Sequence, residues 1–147
     1  MSKKLTFKGS LAPASDAHRI KLSTIKGKTG YRINKFQIIP STPGAASFEF
    51  VVKIFKKDSA TTSVIDFTDS NLLAVAYYQD AHHFEYPSSE DIIFDNEIFN
   101  QDIYITCTDV AGGSIICNYF LQLETIALTD TQSTQLTLKS LRAIASR

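Results

Sequence analysis

The segment "SFEFVVKIF", residues 47–55, alternates apolar and polar side chains with a period of two. Phe48, Phe50, Val52 and Ile54 share one face of an extended chain, and Glu49 and Lys53 share the other. The pattern predicts a half-buried antiparallel strand, with one face on a core and one in solvent. Upstream, "YRINKFQIIP" (31–40) alternates less cleanly, but Ile33 and Phe36 to Ile39 carry enough β-prone apolar surface for a longer strand ending at Pro40. Downstream, "DSNLLAVAYYQ" (69–79) suits a short helix or a buried strand by composition, and a strand is the better reading among such neighbours.

Turn clusters punctuate the rest: "GSLAPASD", "KGKTG", "PSTPGAAS", "KKDSATTS", "PSSED" and "DVAGGS". Short strands at this spacing predict an all-β fold, an antiparallel sandwich or barrel. Residues 102–125 read as a hairpin around "AGG". Ile103, Ile105 and Cys107 lie on one face, Ile115, Cys117, Tyr119, Leu121 and Leu123 on another. For both faces to point the same way, the turn centres on Gly112 and Cys107 opposes Cys117. Opposed β-carbons lie about 4.5–5.5 Å apart, above the usual disulfide separation, so two buried thiols are expected.

After Leu128 the period changes. Thr129 and Gln132 stand at capping-box spacing, and Leu138, Leu141, Ile144 and Ala145 recur as one helical face. A helix over residues 130–144 is expected, with its basic residues at the end its dipole favours, folding back over the sheet. The division is therefore a β-sandwich domain, 1–128, with a basic N-terminal arm, and a C-terminal helix and tail, 129–147, packed on it.

The 147 residues suit one domain, which needs neither disulfide nor metal to fold. There is no run of 18 apolar residues, and the first twenty residues lack the apolar stretch of a signal peptide. A soluble product of a cytosol is expected, with no membrane partner. The net charge is zero but divided: residues 1–57 carry 12 Lys or Arg against Asp16 and Glu49, whereas 58–138 carry 13 acids and no Lys or Arg. Basic and acidic strands could pair within one sheet, or faces of opposite sign could attract other subunits. Direct nucleic-acid contact is not expected, because the cations are scattered without interleaved aromatics.

The densest chemical candidate is "DAHHFEYPSSED" (80–91). On a strand, His82, Phe84 and Tyr86 point one way and His83 and Glu85 the other, so the two histidines cannot share a metal. His83 with Glu85 lacks a third ligand at a telling spacing. An enzyme would need His83, Glu85 and one of Asp80, Glu90 or Asp91 to converge. Asp91, Asp95 and Glu97 do not follow a calcium loop, and phosphate-loop, nucleophile-elbow, HExxH and dinucleotide motifs are absent. No catalytic, cofactor-binding or metal residue is assigned; binding or assembly is favoured over catalysis. A sugar-stacking site from Tyr77, Tyr78, Phe84 and Tyr86 is a rival, although most of these suit a core.

"GYRINKFQIIP", "FEFVVKIFKK", "IDFTDSNLLAVAYY", "DIIFDNEIFNQDIYIT", "NYFLQLE" and "LKSLRAI" together resemble a group of small virion structural proteins from tailed phages of marine bacteria and cyanobacteria. The resemblance runs from about Lys4 to Ile144 and transfers no residue with a chemical role. It implies a part of a phage particle, made in the host cytoplasm and present in many copies. With the strand pattern, it sets the expectation of a jelly-roll-like sandwich of eight to ten strands acting as a capsid decoration or cement protein. A homo-oligomer, such as a trimer, bound to the major capsid protein is expected; a neck or tail component is the alternative. Candidate partner contacts are Lys3, Lys4 and Lys8 in the arm, His82, His83 and Glu85 in the acidic span, and Arg142.

Overall fold

The computed structural model describes residues 3–22, 24, 27–42, 47–80, 88–94 and 97–145. Among them the period-two segments form eight strands: β1 (Lys4–Leu11), β2 (His18–Ile20), β3 (Thr29–Pro40), β4 (Phe48–Phe55), β5 (Leu72–Asp80), β6 (Ser88–Ile93), β7 (Ile103–Asp109) and β8 (Cys117–Ala127). One helix follows, α1 (Asp130–Ala145). The ambiguous segment is thus a strand, β5, and "PSSED", expected as a turn, runs into β6.

The strands divide into a three-stranded sheet, β1-β8-β3, and a five-stranded sheet, β2-β7-β4-β5-β6, with every pairing antiparallel. Placing 1, 8 and 3 in one layer and 2, 7, 4 and 5 in the other is the jelly-roll order of two overlaid Greek keys. In that order the sixth strand lies beside the third. Here β6 pairs with β5, but the chain just after it returns to β3 through a Tyr31–Phe99 bridge, with backbone bonds of 2.7 and 3.0 Å.

The core lies between the sheets. Phe48, Phe50, Val52 and Ile54 from β4 meet Ile103 and Ile105 from β7 and Leu121 and Leu123 from β8, all essentially without exposure. Burying each such side chain contributes about 1.5–3 kcal/mol. The poor alternation of β3 has a local cause. Its register shifts between Ile33 and Lys35, so Asn34 is the extra residue of a β-bulge. The buried set accordingly passes from Tyr31 and Ile33 to Phe36 and Ile38. On β1, Gly9 leaves a slot for the Tyr119 ring, which a β-carbon there would approach to 3.0 Å.

Three expectations require correction. First, residues 102–125 are not a hairpin: β7 and β8 belong to different sheets, and residues 110–116 cross between them. The residues of matching parity do face inward, but two strands facing each other across a sandwich share that parity as well as two strands side by side. Cys107 and Cys117 are nevertheless two buried free thiols. A hydrogen bond with Cys107, together with burial, holds the Cys117 thiol well above its usual range.

Second, β4 is buried on both faces. It is the middle strand of its sheet, and the β4–β5 connection folds over its outer side, leaving Lys53 only 3% exposed. The Lys53 ammonium donates to the Val64 carbonyl at 2.6 Å and the Thr62 hydroxyl at 3.2 Å.

Third, polar groups tie the helix down, and Leu138 and Leu141 do not face the sheets. The capping box forms: Thr129 N donates to Gln132 Oε1 at 3.1 Å, and Gln132 N to Thr129 Oγ1 at 3.2 Å. From there Ser133 Oγ donates to the Gly27 carbonyl at 2.8 Å. Buried Asn100 donates to that carbonyl at 3.0 Å and to Thr137 Oγ1 at 3.1 Å. Gly27 adopts φ +63°, the left-handed turn that presents its carbonyl to both donors. Leu138 and Leu141, at 48% and 56% exposure, face outward.

Lys56 and Lys139 both reach Glu97, at 2.5 and 3.1 Å, tying the helix and the start of the β4–β5 connection to one carboxylate. Burial pushes the Glu97 carboxyl up, but the two ammonium hydrogen bonds outweigh it and hold it below its usual range. A carboxyl depressed in the folded state stabilises above its unfolded pKa, and that contribution is lost as pH falls through the folded value. Acidification below about pH 4 is therefore expected to loosen α1 before the sheets unfold. Amide exchange over residues 130–145 at pH 3 and pH 6 checks this; equal helix protection relative to the sheets would contradict it.

Candidate interaction surface

The charge division is resolved in part within the fold. Arg19–Asp102, Lys28–Asp130, Arg32–Glu124 and Lys56–Glu97 each join a cation from the first 57 residues to a later acid. Such pairs are individually weak where exposed. What they leave over is not evenly spread.

The outer face of the three-stranded sheet is built by alternation around β8. Lys4, Glu124 and Arg32 form one row; Thr6, Gln122 and Lys35 the next; Lys8, Phe120 and Gln37 the third; Ser10, Asn118 and Ile39 the last. The bulge at Asn34 places Lys35 and Gln37 outward rather than inward. Arg32 occupies Glu124 at 2.6 Å, so this face holds four cations against one carboxylate. Among the described residues Lys8 and Lys35 make no ion pair. Phe120, at 36% exposure, sits between Lys8 and Gln37, and Ile39 is 61% exposed at the end of the face. A flat basic sheet with an apolar centre suits docking on an acidic protein surface.

Lys4 and Lys8 therefore do belong to a basic surface, but not as an arm. They are held in β1, which pairs with β8 from Lys4–Glu124 to Leu11–Cys117, and even the Lys3 backbone is held, its N–H donating to Thr125 Oγ1 and its carbonyl accepting from the Thr125 N–H. Strand pairing satisfies the backbone of this segment. Lys35, Gln37, Ile39 and Phe120 were not singled out by sequence. The bulge disguised the first three, and Phe120, on the face of β8 opposite Tyr119, Leu121 and Leu123, stands out only beside its cross-strand neighbours Lys8 and Gln37. His82, His83 and Glu85 lie outside the described residues, as do Phe84 and Tyr86. Arg142 lies in α1, and its side chain is outside the described set.

The outer side of the five-stranded sheet differs. The connection from residue 56 to 71 lies across it, pinned by Lys53, and exposes Val64, Ile65 and Phe67. Phe67 meets Phe94 edge-on at 5.4 Å, and Ile92 is exposed nearby on β6. Asp66, Asp69 and Glu90 make this side acidic. A cavity of about 270 Å³ beneath the connection is lined by Lys53, Phe55, Thr62, Val64, Asp66 and Asp69. Burial draws the Lys53 ammonium below its usual range, with Asp69 opposing. Its hydrogen bonds to Thr62 and Val64 fit a clamp on the connection.

Of the proposed sugar aromatics, the two that are described, Tyr77 and Tyr78, point to opposite faces of β5. Tyr78 stacks on Phe48 at 5.8 Å inside the core, while Tyr77, next along β5, faces outward and donates to Glu49 Oε1 at 2.8 Å. Burial, with Glu49 beside it, pushes the Tyr77 hydroxyl up to about 12. Among the described residues, no three His, Cys, Asp or Glu side chains are grouped to hold a metal. Nor is any helix there long and apolar enough to cross a membrane. Comparison of the chain with protein-family models, curated proteins and solved structures finds no match.

Proposed function

We propose that this chain is a structural protein of a tailed-phage particle that decorates or cements the assembled shell, docking on acidic protein surface through the outer face of β1-β8-β3. The observation that supports this reading is that face: Lys4, Lys8 and Lys35 around Phe120 and Ile39 on a rigid sheet. The resemblance to phage virion proteins and the jelly-roll order, used in viral capsids as in lectins, point the same way at the level of fold. A rigid, preorganised face loses little conformational entropy on docking, and its cations steer encounter with an acidic partner.

The test is binding of the purified protein to shells that lack it. Wild type should bind, more weakly at 300 mM than at 50 mM salt. Reversal of Lys4, Lys8 and Lys35 to glutamate should weaken binding by about 100-fold or more, since like charges then face the partner. Unchanged binding by the triple variant would overturn the assignment of the face. Binding only to neck or tail assemblies would move the protein there and leave the face in place.

A further inference from the structure

We infer that the basic face takes, as one acidic partner, the outer side of the five-stranded sheet of a second copy. The inference rests on the basic face being a docking surface. Four cations against Glu124 mark one outer side of the sandwich, and Asp66, Asp69 and Glu90 mark the other. Each side also exposes apolar groups for the other to cover: Phe120 and Ile39 on the basic side, Val64 and Ile65 on the acidic side.

Face-to-face pairing of like sides about a two-fold axis would set lysines on lysines or acids on acids. Pairing of unlike sides sets the surplus lysines against the surplus carboxylates. The acidic side is also preorganised, because Lys53 pins the Val64 carbonyl at 2.6 Å and Phe67 rests on Phe94. Since the two surfaces lie on opposite sides of one sandwich, each copy that binds leaves a free face, so contacts continue as a stack or close as a ring.

Size sets the expected strength. Three strands about 4.8 Å apart and about eight residues long at 3.4 Å each offer roughly 400 Å², against about 800 Å² per partner in a standard stable interface. The contact is therefore weak in dilute solution, strengthened by crowding on a particle, and salt-sensitive.

Sedimentation velocity on the full chain across about 5–200 μM tests this. At 50 mM salt, wild type should form species larger than dimer, and at 300 mM it should be mainly monomer. Lys8→Glu with Lys35→Glu blocks the basic side; Val64→Asp with Ile65→Asp blocks the acidic side. All four positions are exposed, and circular dichroism confirms the fold of each variant; Lys8→Gln with Lys35→Gln replaces the first pair if it fails to fold. Each blocked variant should be monomeric alone, and their mixture should yield 1:1 dimers that grow no further. Wild type that stays monomeric at the highest concentration and low salt, a blocked variant that associates like wild type, or a mixture that stays monomeric would each overturn the inference. If wild type is monomeric but the lysine variants lose shell binding, the docking face stands and only its self-association falls.

Discussion

Replacing Phe36 with alanine is expected to lower the unfolding free energy by about 3–5 kcal/mol. Phe36 is fully buried on β3 opposite Leu121 of β8 and occupies the inward position only because Asn34 is bulged out. The sheets on either side are hydrogen-bonded frames about 10 Å apart, so the space left by the ring can close only in part. In a chain of this length such a loss lowers the melting temperature by roughly 6–20 °C. Gln37→Ala, one residue along on the outer face, should stay within about 0.5 kcal/mol. Urea denaturation of the two variants checks both the core and the bulge. If Gln37→Ala were the costlier change, the parity of β3 would be wrong.

Asp102→Ala is expected to cost about 1.5–3 kcal/mol. Its buried carboxylate accepts from the Arg19 guanidinium and, at 2.8 Å, from the backbone N–H of Leu22, which follows β2. Arg19 is half exposed and can turn to water, whereas the Leu22 N–H is buried and has nowhere else to turn. Most of the cost therefore falls on that backbone donor. Asp102→Asn, which keeps an acceptor and loses the charge, should recover about half of it. The loss should appear first as faster amide exchange in β2, the short edge strand that Asp102 fastens to β7. Equal costs for the two variants would mean that the charge, not the acceptor, carries the stability.

Much of this architecture was legible because alternation is a local signal. The inward sets of β4 and β8 and the capping box at Thr129 and Gln132 follow from residue types and spacing alone, whereas residues 72–80 fit helix or strand by composition and are decided by their β-rich neighbours. What escaped depends on contacts between distant segments. Alternation assigned Ile103, Ile105 and Cys107 to the core but could not say that β7 pairs with β4 and β2 rather than with β8. Lys53 reads as solvated until the connection after residue 55 is seen to lie over it. Leu138 and Leu141 predict a buried helical face, yet both are exposed, and Ser133 and Thr137 make hydrogen bonds to the groups that Gly27 and Asn100 present.

The candidate surface was half visible for the same reasons. Lys4 and Lys8 stand out by charge, but their membership in a paired strand required the register with β8. Lys35 required the bulge, and Phe120, outward by the parity of β8, required the register that sets it between Lys8 and Gln37. The surface is thus a product of three strands drawn from the beginning, the first third and the end of the chain.

The most direct test of the central claim is a high-resolution map of the phage particle containing this protein. The account predicts the sandwich in many symmetric copies on the outside of the shell, with the Lys4, Lys8 and Lys35 face covered by acidic protein surface. A particle without the protein, or one in which that face is open to solvent in every copy, would contradict it.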